Sequence, residues 1–459
     1  MKNVDKHSLT INTLFFLFPL SVILGNLIIN LNILLLCIFT FAFYFKKIQK
    51  FKINFFDKII LIFFLYTLVT LFINFVDYNL RGIMLPEFII SKTFLYLRYL
   101  VLYLILRILI SQKILRIDWF SYACACCAIF VCLDIFIQYS FGKNIFGLEP
   151  VSPRQYTGVF GSEWIAGGYL QKFALFSFFF PFILKKKTFY KVTIQFIIFF
   201  IFTLGIILSG NRMPLVLFLF SFFIMFLLNR ELRKYFFTFL IITSLGIIIV
   251  HKVSSNFRLN IGSFYANGKI LINTTLIKDL SKYPVEVWEK PYVSEFACFK
   301  YIFKKNPFFG GGVRYFRTAL QDHMYNDDLP FELANEMGYV KKLNPKNVLP
   351  IHVSGDKGCS THPHNYYFEI LTDLGLVGLI IILYFVFMLL RKILFKNNAF
   401  LQFNLLNLDN KIAPFFLIFF IEFFPIRTSG SFFTTGNASI IFIILAVLVS
   451  LVSKKNKNY

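Results

Sequence analysis

The chain has 459 residues, 58% of them hydrophobic and 65 of them Phe, with a mean hydropathy of +0.70. A soluble domain cannot hide that much apolar surface, whereas a bilayer solvates it, so the composition excludes a water-soluble enzyme and predicts a polytopic membrane protein. Lys+Arg number 47 against 23 Asp+Glu, but these cations gather at the ends of apolar runs, where they set orientation and meet anionic headgroups, with no nucleic-acid partner implied.

In chain order, the apolar runs fall at about 10–29, 31–45, 55–76, 92–110, 117–140, 163–184, 192–209, 213–229, 235–251, 366–390, 412–427 and 436–452. A helix rising ~1.5 Å per residue needs ~20 residues to span, so each run predicts one crossing, the shorter ones leaning on their flanks. The basic N-terminus, Met1 to Thr10, leads into two apolar runs without an A-x-A-like cleavage site, which predicts a retained first helix. With that terminus in the cytoplasm, the inside connections are basic: Lys46, Lys47, Lys50 and Lys52, then Lys113 and Arg116, then Lys185, Lys186, Lys187 and Lys191. Arg230, Arg233 and Lys234 follow, then Arg391, Lys392, Lys396 and Lys411, and finally Lys454, Lys455 and Lys457. The short outside connections hold only Arg81, Lys143, Arg154, Arg212 and Arg427. This alternation predicts an all-α membrane protein of about 12 transmembrane helices with both termini cytoplasmic. It divides the chain into spans over 1–251, one large extracytoplasmic loop over 252–361, and further spans over 362–459.

Within the loop, Val293, Phe296, Phe299 and Phe303 recur at helical spacing, predicting an amphipathic helix able to lie on the membrane surface. Asn306-Pro307 stops it. The seven Cys are not spaced as a disulfide framework, and Cys124, Cys126 and Cys127 read as packing residues inside a span.

No Walker-type phosphate loop occurs, and no paired broken helices mark a transporter site. The polar residues concentrate instead at the outer face, in four places. The first is Thr361-His362-Pro363-His364-Asn365-Tyr366-Tyr367, where the long loop re-enters the membrane. An ordinary His exchanges protons near neutrality and serves as a general base; the alternatives are a polar helix cap, or a metal pair lacking a third ligand at closed-site spacing. The second is Ser209-Gly210-Asn211-Arg212-Met213-Pro214, a tight turn holding Arg212 at headgroup level. There a guanidinium grips a lipid phosphate or merely anchors the helix. In the third, Gly310-Gly311-Gly312-Val313-Arg314-Tyr315-Phe316-Arg317, the glycines offer backbone N–H groups to an anion beside two arginines. The fourth, Gly158 to Leu170, has Glu163 beginning a span; it is either a functional carboxylate or one favoured by the helix dipole. Asp134, Gln138 and Arg98 are expected to pair inside the bundle.

The order of these motifs resembles the O-antigen ligase and polymerase family of bacterial envelope glycan enzymes. That family carries H-[NSQ]-x9-G-x-x-[GTY] at the end of its large periplasmic loop, matched by His364-Asn365, Gly375 and Gly378. Its S-x-S-R-like turn corresponds to Ser209 through Arg212, with Asn211 replacing the second Ser. Its N-P-hydrophobic-G-x-G element corresponds to Asn306 through Gly312, and Pro425 to Phe433 is similar to one branch. The resemblance covers roughly 155–450.

The resemblance implies a GT-C-like fold and an inverting, metal-independent glycosyltransferase without cofactors in the bacterial inner membrane. The donor would be an undecaprenyl-diphosphate-linked glycan, and the acceptor lipid A core or another glycan. It implies His364 as the base for the acceptor hydroxyl and Arg212 as one of two arginines on the diphosphate. The family's second arginine, before a Trp, is missing from Val285-Glu286-Val287-Trp288. Arg258, Arg314 and Arg317 are the local substitutes, and Arg314 is the choice among them. His362, Asn365 and Glu163 complete the expected substrate-binding set. A polymerase of the same family is the nearest alternative, and a flippase or exporter of the same lipid-linked glycan is the non-enzymatic one.

Overall fold

The computed structural model describes residues 6–152, 155–179, 188–228, 233, 235–255, 257–259, 261–262, 265, 291–324, 362–394, 411–427 and 430–455. Outside these lie Arg154, Lys185, Lys186, Lys187, Arg230, Lys234, Lys396, Lys457, the 285–288 segment and most of the loop over 252–361. The protein is an all-α, multi-pass membrane protein. Among the described residues, nine helices are long and apolar enough to cross a bilayer.

Each apolar run holds a helix. In chain order these are α1 (Lys6–Leu24), α2 (Asn26–Gln49), α3 (Phe55–Leu80), α4 (Glu87–Tyr96), α5 (Arg98–Ser111) and α6 (Ile117–Phe141). Next come α7 (Ala166–Phe179), α8 (Thr188–Leu208), α9 (Arg212–Leu228) and α10 (Phe236–Val253). The loop contributes α11 (Pro291–Lys305) and α12 (Tyr315–Met324), and the chain ends with α13 (Tyr366–Leu394), α14 (Ala413–Glu422) and α15 (Thr435–Lys455). Some boundaries differ from expectation. The first two helices part at Gly25, whose φ of 98° no ordinary helical residue adopts, rather than near residue 30. The run over 412–427 yields only the 10-residue α14, about 15 Å long; a turn carrying Pro425 and Arg427 follows it.

One buried ion pair ties α3, α5 and α15. Asp57, in the capping box of α3, accepts from Arg107 at 2.8 and 3.1 Å and from the Tyr103 hydroxyl at 2.7 Å. Arg107 also donates to Ser450 at 2.7 Å. With its lone pairs and donors engaged, this cluster is a structural tie.

The loop is locked to the bundle through backbone. Gly375 breaks α13 with φ 66° and ψ −170°, and Phe308 to Gly312 pack into that break. Gly311 N–H donates to the Thr372 carbonyl at 3.0 Å, Gly312 N–H to Asp373 at 2.8 Å, and Leu376 N–H to Pro307 at 2.9 Å. A Cβ on Gly310 would strike the Asp373 carbonyl, and one on Gly375 would strike the Phe308 carbonyl. The two glycine motifs are therefore two halves of one backbone contact. The amphipathic α11 stacks Phe299 on Phe368 at 4.1 Å and buries Cys298 and Ile302 against Leu71, Ile89 and Phe316. Of the expected apolar face, Phe299 and Phe303 thus pack on protein, with α3, α4 and α13 supplying the apolar partners.

Candidate functional site

The site begins at the start of α13. Asn365 caps this helix, its Oδ1 accepting from Tyr367 N–H at 2.9 Å and Phe368 N–H at 3.2 Å. Its Nδ2 donates to the Pro425 and Arg427 carbonyls, both at 2.9 Å. The amide expected among the substrate ligands is thus committed to holding the 425–427 turn against the helix. Just before it, the His362 and His364 rings lie 4.2 Å apart, and His364 is held at φ 46°. Burial, then His364 and Arg314, lower the His362 pKa to about 3, and burial lowers that of His364. Both imidazoles are therefore neutral at neutral pH, the form in which a ring nitrogen accepts a proton. Among the described residues no group of three or more His, Cys, Asp or Glu forms a metal-holding cluster.

Beneath the His pair lies a charged network absent from the sequence reading. Glu422, at the end of α14, is 1% exposed. It meets Arg427 at 2.8 Å, Lys172 of α7 at 3.3 Å and the Tyr366 hydroxyl at 2.8 Å. The Arg427 guanidinium lies 4.3 Å from the centre of the Tyr366 ring, and Lys172 also donates to Asn437 at 2.8 Å. A second buried carboxylate, Glu369, accepts from Ser431 Oγ and Phe432 N–H. These acids fasten α13 to α14 and to the segment ahead of α15, the nearest link to His364 being Tyr366 two residues on.

Arg314 joins the same region. Its backbone, at φ 69°, donates to Asp373 Oδ2 at 2.7 Å, and Phe316 N–H donates to Asp373 Oδ1 at 3.1 Å. Asp373 thus caps α12 and sets Arg314 within electrostatic range of His362 and Glu369. Only Lys113, Arg314 and His364 are non-glycine residues with positive φ among those described; two of the three are candidate site residues, as expected where strain serves a site. The anion cradle expected from Gly310 to Gly312 is not available. All three N–H groups are spent on the Asn306, Thr372 and Asp373 carbonyls, because the glycines serve close backbone packing.

The remaining candidates separate. Asn211, next to Arg212, accepts from Gly167 N–H at 2.9 Å and donates to the Trp164 carbonyl at 3.1 Å, so the Arg212 turn sits on the start of α7. Gly167 precedes Lys172 by five residues, about 7.5 Å along the helix. The structure thus brings the second and fourth sequence motifs together. Glu163 itself is exposed and precedes α7 by three residues, correcting the expectation of a carboxylate beginning a span. Arg317 is exposed, its guanidinium 5.8 Å from the Phe88 ring centre. Asp134 and Gln138 find their partners in the segment after α6: Asp134 accepts from Ile145 N–H at 3.0 Å and Gln138 from Gly158 N–H at 2.8 Å.

No protein-family model matches the chain, and no curated protein matches it. The assignment of function therefore rests on the residues themselves. A signal for the missed residues was present: Glu369 and Glu422 are carboxylates inside apolar runs, which are costly to bury without a partner.

Proposed function

We propose that this protein is an O-antigen ligase-like glycosyltransferase, moving a glycan from undecaprenyl diphosphate to lipid A core or a similar acceptor. His364 takes the proton of the acceptor hydroxyl as its oxygen attacks the anomeric carbon. The bond to the diphosphate breaks, and Arg212 and Arg314 receive its charge. The observation that carries this reading is a half-buried His pair, its imidazoles kept neutral, within electrostatic range of Arg314 and two residues from a network of paired charges: a base and a cation, the two groups the transfer requires.

The reading includes twelve spans, cytoplasmic termini and the 252–361 loop facing the periplasm of an inner membrane. The charge alternation supports this orientation. So does Cys298, which is disulfide-bonded while Cys37, Cys124, Cys126, Cys127 and Cys132 are free, since disulfides persist in oxidising compartments. Cysteines introduced as Asn326→Cys and Ser354→Cys should react with an impermeant thiol reagent on spheroplasts, and those at Lys186 and Lys392 should not. Labelling at 186 but not at 354 inverts the topology and removes the site to the wrong face.

The functional test is the purified protein in liposomes with the lipid-diphosphate glycan and a lipid A core acceptor. A new glycosidic bond to the acceptor is the expected product. Elongation of the donor glycan instead marks a polymerase, and donor crossing the bilayer with no new bond marks an exporter. In the same assay Arg212→Lys should slow transfer by roughly 10- to 100-fold, the equivalent of about 1.5–3 kcal/mol for a charge-assisted bond. Lys keeps the charge but loses the two-point fork. Wild-type rates across all donor concentrations would return Arg212 to membrane anchoring.

A further inference from the structure

Tyr96, the last residue of α4, is 3% exposed, yet its hydroxyl has no hydrogen-bond partner. Leaving such a group without a partner is costly, so the orphan hydroxyl needs a reason. Its ring is fully committed to packing, with Tyr99 at 5.2 Å, Phe433 at 5.0 Å and Phe64 at 5.5 Å. The charged groups in electrostatic range of the hydroxyl are Arg98, Arg314 and Glu369.

Arg98 shows the same incompleteness. It opens α5 just past the break at Leu97, lies 4.7 Å from the Tyr99 ring centre, and uses one nitrogen, Nη2, on Tyr99 Oη at 2.8 Å and Thr435 Oγ1 at 3.3 Å. Its buried Nε has no partner, and among the described residues no carboxylate pairs with it. Glu369, the carboxylate in electrostatic range of the Tyr96 hydroxyl, is already engaged by Ser431 and Phe432. Thr435 is the first residue of α15, so the unsatisfied N–H groups and positive dipole end of a 21-residue helix point into the same space. That end is open: Thr434 to Asn437 are half-buried, and a Cβ added to Gly436 would meet nothing within 4 Å. Arg314, half-buried, lies within electrostatic range of both the Tyr96 hydroxyl and His362.

We propose that Arg98, Arg314, the Tyr96 hydroxyl and the N-terminus of α15 form an anion recess that takes a phosphate or diphosphate group. An Arg fork and a helix N-terminus are the two protein devices best suited to phosphate oxygens. The Tyr96 hydroxyl supplies a third donor, satisfied only when the anion is present. If the glycosyltransferase reading holds, this recess receives the leaving diphosphate, and Arg98 is the cation the sequence motifs do not name. The recess does not require that reading, because it is defined by binding alone.

The test uses the full chain in detergent, with inorganic pyrophosphate, farnesyl diphosphate and farnesol as probes, read by calorimetry and by thermal unfolding. Farnesyl diphosphate should bind the wild type. Arg98→Lys should weaken it about tenfold, and Arg98→Gln further. Tyr96→Phe is the cleaner variant: it removes a hydroxyl that bonds nothing in the empty protein. It should leave the unfolding midpoint unchanged or raised, yet weaken farnesyl diphosphate several-fold. Arg98-dependent binding of pyrophosphate as well identifies the anion alone as sufficient, and binding of the isoprenoid form only identifies a lipid headgroup. Absence of transfer by the wild type together with retained Arg98-dependent binding counts against the transferase reading and for the recess. Equal affinity of farnesol and farnesyl diphosphate, absence of binding by both anions, or unchanged affinity in Arg98→Gln and Tyr96→Phe overturns the recess.

Discussion

His364→Ala is expected to lower glycan transfer by about 100-fold or more, the usual loss on removing a general base, at unchanged abundance in the membrane. His362→Ala should be milder: its ring supports His364 from 4.2 Å, but only His364 sits at the H-N position before Gly375. The pH profile separates a base from a helix cap. Burial lowers the His364 pKa from the ordinary 6.5, so the neutral, proton-accepting form persists as the solution is acidified. The acid limb of transfer should therefore have its midpoint below pH 6.5, with the rate held at neutrality and lost as pH falls through the lowered pKa. A midpoint above 6.5, or near-normal transfer by His364→Ala, removes His364 from the role of base.

Glu422→Ala should cost about 3–5 kcal/mol of stability, the range found when one partner of a buried ion pair is removed. Glu422 stands between Lys172 and Arg427, and all three side chains are at most 6% exposed, so its loss leaves two cations buried with no countercharge. The unfolding midpoint in detergent should fall markedly. Adding Lys172→Met should recover part of the loss, since one of the stranded cations is then gone. Because Arg427 and Tyr366 hold the start of α13 through this carboxylate, transfer should fall along with stability. An unchanged midpoint in Glu422→Ala would show that the network does not hold these helices together.

Much of the architecture was readable because helix formation in a bilayer is a local matter. Lacking water, each apolar run must satisfy its own backbone, and it does so as a helix. The runs therefore appear as helices close to where hydropathy put them, and Lys46, Lys113 and Lys392 mark ends by charge. Reading failed where a polar group changes the local cost. Glu422 and Pro425 end α14 early, and Gly25, free to adopt φ 98°, parts α1 from α2 before the expected boundary. The glycine motifs serve close backbone packing where an anion cradle is expected from their sequence. Gly310 and Gly375 allow two backbones to touch, and the contact that consumes their neighbours' N–H groups joins segments far apart in sequence.

The sequence by itself determined the class of the protein, the positions of its apolar helices, and the short list of polar residues carried between them. Those follow from composition and from nearest neighbours along one chain. The tertiary structure decided which of these residues meet. It brought Arg314 within electrostatic range of His362, spent Asn365 on a cap, left Glu163 and Arg317 exposed, and drew Lys172, Glu422 and Arg427 from α7, α14 and the turn after it into one network. Buried charges in a low-dielectric interior must find partners wherever the fold provides them, and partners from different helices leave no pattern in any single stretch of sequence.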